Sequence, residues 1–313
     1  MKKITLIYGV ILMLTLSVEK ASAQYYFYDS KYYDSPVTFE LGGSIGLMNC
    51  LTDIGGNKGV GKKFVKDLNL GKTNFAGSLS LTAMFNYKFA LRLEGTFGQI
   101  SADDKVLKKV APSTFGRYER NLSFRSKITD FMLALEIHPL YILNSYSDND
   151  EKEPPLFSPY LLGGVGFFSF KPQAKLGNRW VDLEPLRTEG QGFSAYPDRK
   201  PYKLNQINIP IGLGVKYDLG STLSLRAEFV YRKLNTDYLD DVSTEYINPV
   251  EFTNNFTAAK ARTATDLYAR QKELDPLYNV NEGDQRGNPK NKDAYFTFNI
   301  KIGYTFGRPK IGR

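Results

Sequence analysis

From Val37 onward, apolar and polar residues alternate with the period of two that marks a strand with chemically different faces. Val37, Phe39, Leu41, Ile45 and Leu47 share one face, and Thr38, Glu40, Ser44 and Met48 share the other. Phe75, Leu79, Leu81, Ala83 and Phe85 form the next apolar row. A tight turn at Asn86-Tyr87-Lys88 then leads into Leu91, Leu93 and Phe97, which alternate with Arg92, Glu94 and Thr96. A fourth strand sets Phe131, Leu133, Leu135 and Ile137 against Asp130, Met132, Ala134 and Glu136. Tyr160, Leu162, Phe168 and Phe170 mark a glycine-rich fifth strand, and Ile207 to Tyr217 alternate as a sixth. After a turn at Asp218-Leu219-Gly220-Ser221, Leu225, Ala227, Phe229 and Tyr231 mark the seventh, and Phe296 to Phe306 the eighth. An even set of eight is expected of a bacterial transmembrane barrel, in which the apolar face meets lipid and the polar face the lumen. A soluble barrel or sandwich reverses the two faces, and periodicity alone does not choose between them.

The connections do choose. Links two to three and six to seven are turns of a few residues, whereas links one to two, three to four, five to six and seven to eight are long. Short periplasmic turns alternating with long outer loops are the outer-membrane topology, with both termini periplasmic. The acidic stretch from Tyr141 to Phe157, carrying Asp148, Asp150, Glu151 and Glu153, departs from this and reads as an insertion.

The N-terminus points the same way. Lys2 and Lys3 precede an apolar run from Ile4 to Val18. Ala21-Ser22-Ala23 then supplies a small-residue cleavage site, so that Gln24 starts the mature chain. The expected division is a signal peptide over 1–23, a periplasmic segment over 24–36, an eight-stranded antiparallel barrel over 37–307 and a tail over 308–313.

Composition refines this picture. Mean hydropathy is negative, at −0.34, which does not oppose a barrel because lumen-facing polar residues dilute every strand. Tyr and Phe occur 21 times each, as suits strands and interfacial girdles. The lone Cys50 has no intrachain partner, so no disulfide framework exists, and it reads as a packed strand-end residue. The polar faces carry Glu40, Arg92, Glu94, Asp130, Glu136, Lys216, Arg226, Glu228, Arg232 and Lys301. An eight-stranded barrel is just wide enough to be filled by its side chains. These ten are therefore expected to pair and close the lumen, because unpaired buried ions are costly.

The chain is basic, with a net charge of +8, and an exported basic protein suits phosphate-bearing lipid better than nucleic acid. Loop one carries Lys58, Lys62, Lys63, Lys66 and Lys72. Loop two carries Lys105, Lys108, Lys109, Arg117 and Arg120, and both sets stand as candidate lipopolysaccharide contacts or as solvated charge runs. The last outer loop, 235–292, is expected to hold a helix from Thr253 to Leu274 whose Phe256, Ala259, Thr263, Leu267 and Ala269 pack on the barrel rim. Asp237, Asp240 and Asp241 offer oxygen ligands for a hard cation, but their spacing favours turn and capping hydrogen bonds.

No catalytic, cofactor or metal site is expected. His138, the sole histidine, sits near the inner end of the fourth strand without a nucleophile-elbow motif and reads as a structural residue.

Three stretches resemble a known family. They are Asn121-Leu122-Ser123-Phe124 through Leu135-Glu136; Ser158-Pro159-Tyr160 with Thr188-Glu189-Gly190-Gln191-Gly192; and Thr236 to Thr244 (including Asp237, Tyr238, Asp240 and Asp241) with Gln285-Arg286-Gly287-Asn288. Together they resemble the PorG-like outer-membrane barrels of Bacteroidetes, whose namesake is a component of the type IX secretion system. The resemblance implies a non-enzymatic barrel that contacts the periplasmic ring of that machine, formed by a lipoprotein and its partner. Outer-membrane lipid is the other expected partner, from the basic charge and export noted above. The alternative open at this point is a surface-binding or envelope-integrity barrel whose basic loops engage lipopolysaccharide or an external ligand.

Overall fold

The computed structural model describes residues 36–56, 70–108, 114–143, 157–220 and 222–306. The expected signal peptide, the segment before Pro36, Lys58, Lys62, Lys63, Lys66, Lys109, the acidic residues Asp148 to Glu153 and the expected tail lie outside the described residues.

Among the described residues nine strands form in chain order: β1 (Val37–Leu51), β2 (Asn74–Phe85), β3 (Phe89–Asp103), β4 (Ser123–Ile137), β5 (Phe157–Leu176), β6 (Arg179–Asp182), β7 (Asn205–Asp218), β8 (Leu223–Leu234) and β9 (Ala294–Phe306). All pairings are antiparallel. The order runs β4-β3-β2-β1-β9-β8-β7-β5, and β4 pairs with β5 to close an eight-stranded ring. Closure leaves the ring of eight staves without an edge strand. β6 is not a stave of the ring; it pairs only with Gln173–Leu176, the upper end of β5. Sequence reading missed it because Arg179-Trp180-Val181-Asp182 is too short for a readable alternation.

The turn between β2 and β3 follows from its residues. Asn86 and Tyr87 both have positive φ and form the centre of a turn that the Lys88 amide closes by donating to the Phe85 carbonyl at 3.0 Å. The Tyr87 ring stacks on Tyr141 with centroids 5.7 Å apart, holding an aromatic residue in a conformation it seldom adopts.

Burial alternates along every stave, and the exposed side chains are the apolar ones. Leu41, Ile45, Leu79, Leu93, Leu133, Val165, Leu213 and Ile302 point outward, while Glu40, Arg92, Glu94, Glu136, Arg226 and Lys301 point into the ring and are buried. Near the rim that carries the long connections the pattern inverts. On β4 the outward residues are apolar from Ile137 to Phe131, then Thr129, Lys127 and Arg125; the inward ones change from Glu136 and Asp130 to Ile128 and Phe124. β5 does the same, passing from Phe167 to Lys171 outside and reaching Phe168 and Phe170 inside. Below the inversion the wall suits hydrocarbon, and above it the wall suits water.

The apolar band has the height of a bilayer. β5 advances from Phe157 to Phe167 within it. At about 3.4 Å per residue and a tilt of about 40°, that run rises roughly 26 Å, against about 25 Å for the lipid-facing band of such barrels.

Among the described residues there are four short α-helices: α1 (Phe115–Arg120), α2 (Pro139–Leu143), α3 (Val250–Asn255) and α4 (Ala258–Tyr268). The single helix expected over Thr253–Leu274 is corrected to α3 and α4, because Phe256 and Thr257 adopt extended backbone between them. The buried face is corrected as well. Ala261, Ala264, Leu267 and Tyr268 are buried while Ala259 is exposed, since the break resets the helical phase. On β5, Tyr160, Leu162, Phe168 and Phe170 face inward, and Leu161, Val165 and Phe167 take the outer face. Both faces of that strand are apolar, so alternation alone did not fix its phase.

One continuous apolar cluster joins the upper lumen to the loops above it. Met48, Ile100, Ile128, Phe168 and Tyr295 pack into the same core as Leu239, Val242, Phe252, Ala264 and Leu267. The long loops thus form a crown whose core is the barrel's own upper interior.

Candidate functional site

Within the apolar band the lumen is filled by ions. Glu40, Glu94, Asp130, Glu136 and Glu228 meet Arg92, Lys216, Arg226, Arg232 and Lys301, five carboxylates against five cations, all buried. Arg226 bridges Glu40 (2.7 Å) and Glu136 (2.9 Å), and Glu136 also pairs with Arg92. Arg92 reaches Glu94 at 3.2 Å and Glu228 at 2.5 Å; Lys301 meets Glu94 at 2.5 Å and Glu228 at 3.7 Å. Lys216 lies 2.9 Å from Asp218 and 3.7 Å from Glu40. Arg232 and Asp130 form a separate pair at 2.6 Å, with the Asn208 amide donating to Asp130 at 2.8 Å.

The arrangement is polarised across the ring. Lys216, Arg226 and Lys301 are side-by-side register neighbours on β7, β8 and β9. Like charges so placed repel. Their partners Glu40, Glu94 and Glu136 come from β1, β3 and β4, while Asp218 and Glu228, on β7 and β8 themselves, add to the neutralisation of Lys216 and Lys301. Tyr160 stands in the middle, donating to Glu228 at 2.7 Å with Arg92 and Arg226 against its ring. Gly214 makes its room, because a Cβ there would lie 2.5 Å from the phenol oxygen. Arg92, Arg226, Arg232, Tyr160, Tyr295 and Phe168 are among the largest fully buried side chains, so the lumen is a packed interior.

At the turn end, His138 has a neighbour that sequence reading did not assign. Its Nδ1 lies 3.1 Å from Ser158 Oγ and its Nε2 lies 3.3 Å from Glu136. Serine, histidine and carboxylate in contact are the elements of a nucleophilic triad. Here Ser158 and His138 are each only 1% exposed and Glu136 is tied to Arg226, so no substrate carbonyl reaches the serine. The imidazole is a satisfied structural group.

The crown gathers three of the family-like segments, 188–192, 236–244 and 285–288, into one knot. The Glu189 carboxylate accepts from the amides of Ser243 (2.9 Å) and Thr244 (3.0 Å), from Thr244 Oγ1 (2.7 Å) and from Arg286 (2.8 Å). Arg286 also donates to the carbonyls of Asp241 and Tyr268. Asp241, at positive φ, accepts from Thr188 and Tyr202, each at 2.6 Å. Gln191 accepts from the Glu189 amide. Gly190 and Gly192 turn the chain at positive φ, and a Cβ on Gly190 would meet the Tyr196 ring at 2.7 Å. Gly287 passes too close to Ser243 backbone for any side chain, and the Asn288 amide donates to Asp53 at 2.6 Å. Tyr238 stacks on Tyr202 with centroids 4.8 Å apart.

Asp237 and Asp240 join a neighbouring group of carboxylates. Asp240 accepts from the amides of Ile54 (2.8 Å) and Val242 (3.0 Å), Asp237 from Ser243 Oγ (2.8 Å) and Asp293 from the Leu239 amide (2.8 Å). No group of three or more His, Cys, Asp or Glu side chains among the described residues is disposed to hold a metal ion. These carboxylates serve loop backbone. Burial pushes Asp237 up to about 8 and Asp53 and Asp241 up to about 6, and raises Asp240 and Asp293 as well, each also feeling its acidic neighbours.

Sequence reading placed Asp104 and Arg120 alike among the charges of loop two, and for Arg120 that is corrected. Arg120 is not a surface charge of loop two but is buried, paired with Asp104 at 2.9 Å and donating to the carbonyls of Asp53 and Arg286. A basic run in sequence does not reveal which of its members turns inward.

A closed eight-stranded barrel, apolar outside and ion-filled inside over a bilayer-high band, defines the class as a transmembrane β-barrel. No protein-family model matches the chain, and no curated protein matches it significantly. Among solved structures it is similar to Ail, the attachment invasion locus protein of Yersinia pestis, in complex with the heparin analogue sucrose octasulfate: 10% identity, 86% of this chain and 97% of that one, TM-score 0.34. It is similar also to the outer membrane protein OprG of Pseudomonas aeruginosa: 13% identity, 86% and 95% covered, TM-score 0.39. Neisserial surface protein A matches with 8% identity, 87% and 98% covered, and TM-score 0.37. At such identities and scores nothing about function follows from the likeness.

Proposed function

We propose that the protein is a non-enzymatic scaffold barrel of the bacterial outer membrane, with its crown outside, related to the type IX protein secretion apparatus and contacting the periplasmic ring of that machine. The observation that carries the membrane reading is the inversion of the wall on β4 and β5, from apolar-out with an ionic interior to basic-out with an apolar interior. The secretion role is supported by the resemblance of the motif residues to the PorG-like barrels. Thr188, Glu189, Asp241 and Arg286, drawn from three segments far apart in the chain, join in one buried knot. Such a knot fixes loop shape and performs no chemistry.

The test is deletion of the gene followed by assay of cargo bearing the C-terminal secretion signal, with crosslinking of the barrel in intact cells. The reading expects cargo retained in the periplasm and crosslinks to the ring lipoprotein or its partner. Normal secretion without such crosslinks would remove the secretion role and leave the membrane barrel standing.

A second reading, a surface-binding barrel, is favoured by apolar side chains exposed on the crown: Val250 and Leu277, the latter 87% exposed. Lost binding of whole cells to an external ligand after Val250→Ser and Leu277→Ser, with secretion intact, would favour it over the first.

A further inference from the structure

Three neighbouring strands repeat one outward-facing order of tiers. Across β4, β5 and β7 the register rows read Phe131, Phe167, Ile207 and then Thr129, Ser169, Asn205. One tier nearer the crown, Lys127 and Lys171 stand directly opposite each other. Lys203 joins them, because the Phe170 amide donates to the Leu204 carbonyl at 3.0 Å and so holds that chain beside β5. All three lysines are exposed. Like charges directly opposite on one face of a sheet are destabilising. Asp182 answers Lys171 alone, at 2.7 Å. On the far side of Lys127 the same tier is uncharged, its register partner being Gln99.

The height of the tier matters. Lys127 lies four residues beyond Phe131, the last apolar outward residue of β4. That is roughly 10 Å along the membrane normal at about 3.4 Å per residue and 40° of tilt, within a lysine side chain's reach of the headgroup layer. Beside the tier, a groove of about 530 Å³ is lined by Phe167 and Ile207 at its foot and by Lys203, Asn205, Gln206 and Asn235 at its head. It has an apolar part level with the top of the band and a cationic, hydrogen-bonding part above.

We propose that this outer wall is a binding site for a phosphorylated glycolipid of the outer leaflet, with hydrocarbon along Phe167 and Ile207 and phosphate among Lys127, Lys171 and Lys203. The site rests on the reading of the chain as an outer-membrane barrel whose crown faces outward. It differs from loop-borne contacts because its lysines project sideways from the staves, toward lipid neighbours.

The test uses the folded barrel in phosphatidylcholine nanodiscs, titrated with bisphosphorylated lipid A, with the same lipid after phosphate removal, and with inorganic phosphate. Bound glycolipid is counted by native mass spectrometry, and unfolding temperature is followed in parallel. Each lysine removed is expected to weaken binding about fivefold. Lys127→Gln, Lys171→Gln and Lys203→Gln together should therefore cost roughly a hundredfold. The corresponding arginine variants should retain the lipid, and phosphate removal should abolish the preference. Unchanged binding by the glutamine variant, or equal binding of the dephosphorylated lipid, would overturn the site while leaving the membrane barrel intact. Inorganic phosphate raising the unfolding temperature as much as the lipid would show an anion site with no lipid specificity and would overturn it too. A chain that folds in buffer and does not enter nanodiscs would overturn the membrane reading and this site with it.

Discussion

Arg226 shows what single residues contribute and what the sequence reveals of them. Its alternation with Leu225 and Ala227 marks it as a lumen residue, and it is fully buried. Its partners Glu40 and Glu136 lie 186 and 90 positions away, on staves across the ring. Periodicity names the members of such a network but not its pairs, because pairing depends on ring curvature and side-chain length. Removing one partner of a buried ion pair leaves the other charge uncompensated, at a cost of about 3–5 kcal/mol. Arg226→Ala should lose about that much stability, read as a lower urea midpoint of the folded barrel in micelles. A loss under about 1 kcal/mol would mean that water reaches the network. The outer face gives a second residue-scale prediction. Leu133→Arg, in the apolar band, should cost about 2–4 kcal/mol of bilayer-folded stability, whereas Gln99→Arg, above it, should change stability little. Equal effects in lipid titrations would place the boundary elsewhere.

At the scale of elements, the staves were legible and the crown was not. Alternation located every barrel strand because a wall between lipid and ions must repeat every two residues. It understated β3 and β4, whose upper ends carry the inverted pattern, Gln99 to Asp103 and Ser123 to Lys127. The crown is built from loops held by side-chain contacts to backbone, which have no period. Only the motif residues flagged it, and neither the burial of Asp104 nor the inward turn of Arg120 could be read from local sequence. The crown also carries a pH dependence. Asp237, Asp53 and Asp241 have folded pKa values above the ordinary range, so the folded crown binds more protons than the unfolded one. That contribution is fully present below the unfolded value near 3.8 and is lost as pH rises through about 6 for Asp53 and Asp241 and about 8 for Asp237. Hydrogen exchange should therefore find the amides of Leu239, Val242 and Ser243 better protected at pH 5 than at pH 8, after correction for intrinsic rates. Asp237→Asn, which keeps the acceptor for Ser243, should flatten the upper part of this profile. Protection that rises with pH would contradict the assignment.

For the whole molecule, the decisive property is that two environments are written onto single strands. The lower barrel places charges inside and hydrocarbon outside, and the wall of the upper barrel does the reverse, its apolar interior continuous with the loops. The ionic interior is closed by large side chains, so the reconstituted barrel should show planar-bilayer conductance at background. Stable channels that disappear with Arg92→Ala or Tyr160→Ala would be hard to reconcile with this packing, since those residues fill the lumen. The proposed glycolipid site and the proposed contact with a secretion machine are layered on this architecture and depend on its orientation in the membrane.

The most direct measurement is a spin-label accessibility scan along β4 in lipid bilayers, from Ser123 to Ile137, in a Cys50→Ala background. Labels at positions 131, 133, 135 and 137 should collide with oxygen and not with an aqueous nickel complex; labels at 125 and 127 should do the opposite. Nickel accessibility throughout 131–137, or oxygen accessibility at 130, 132, 134 and 136, would contradict the account.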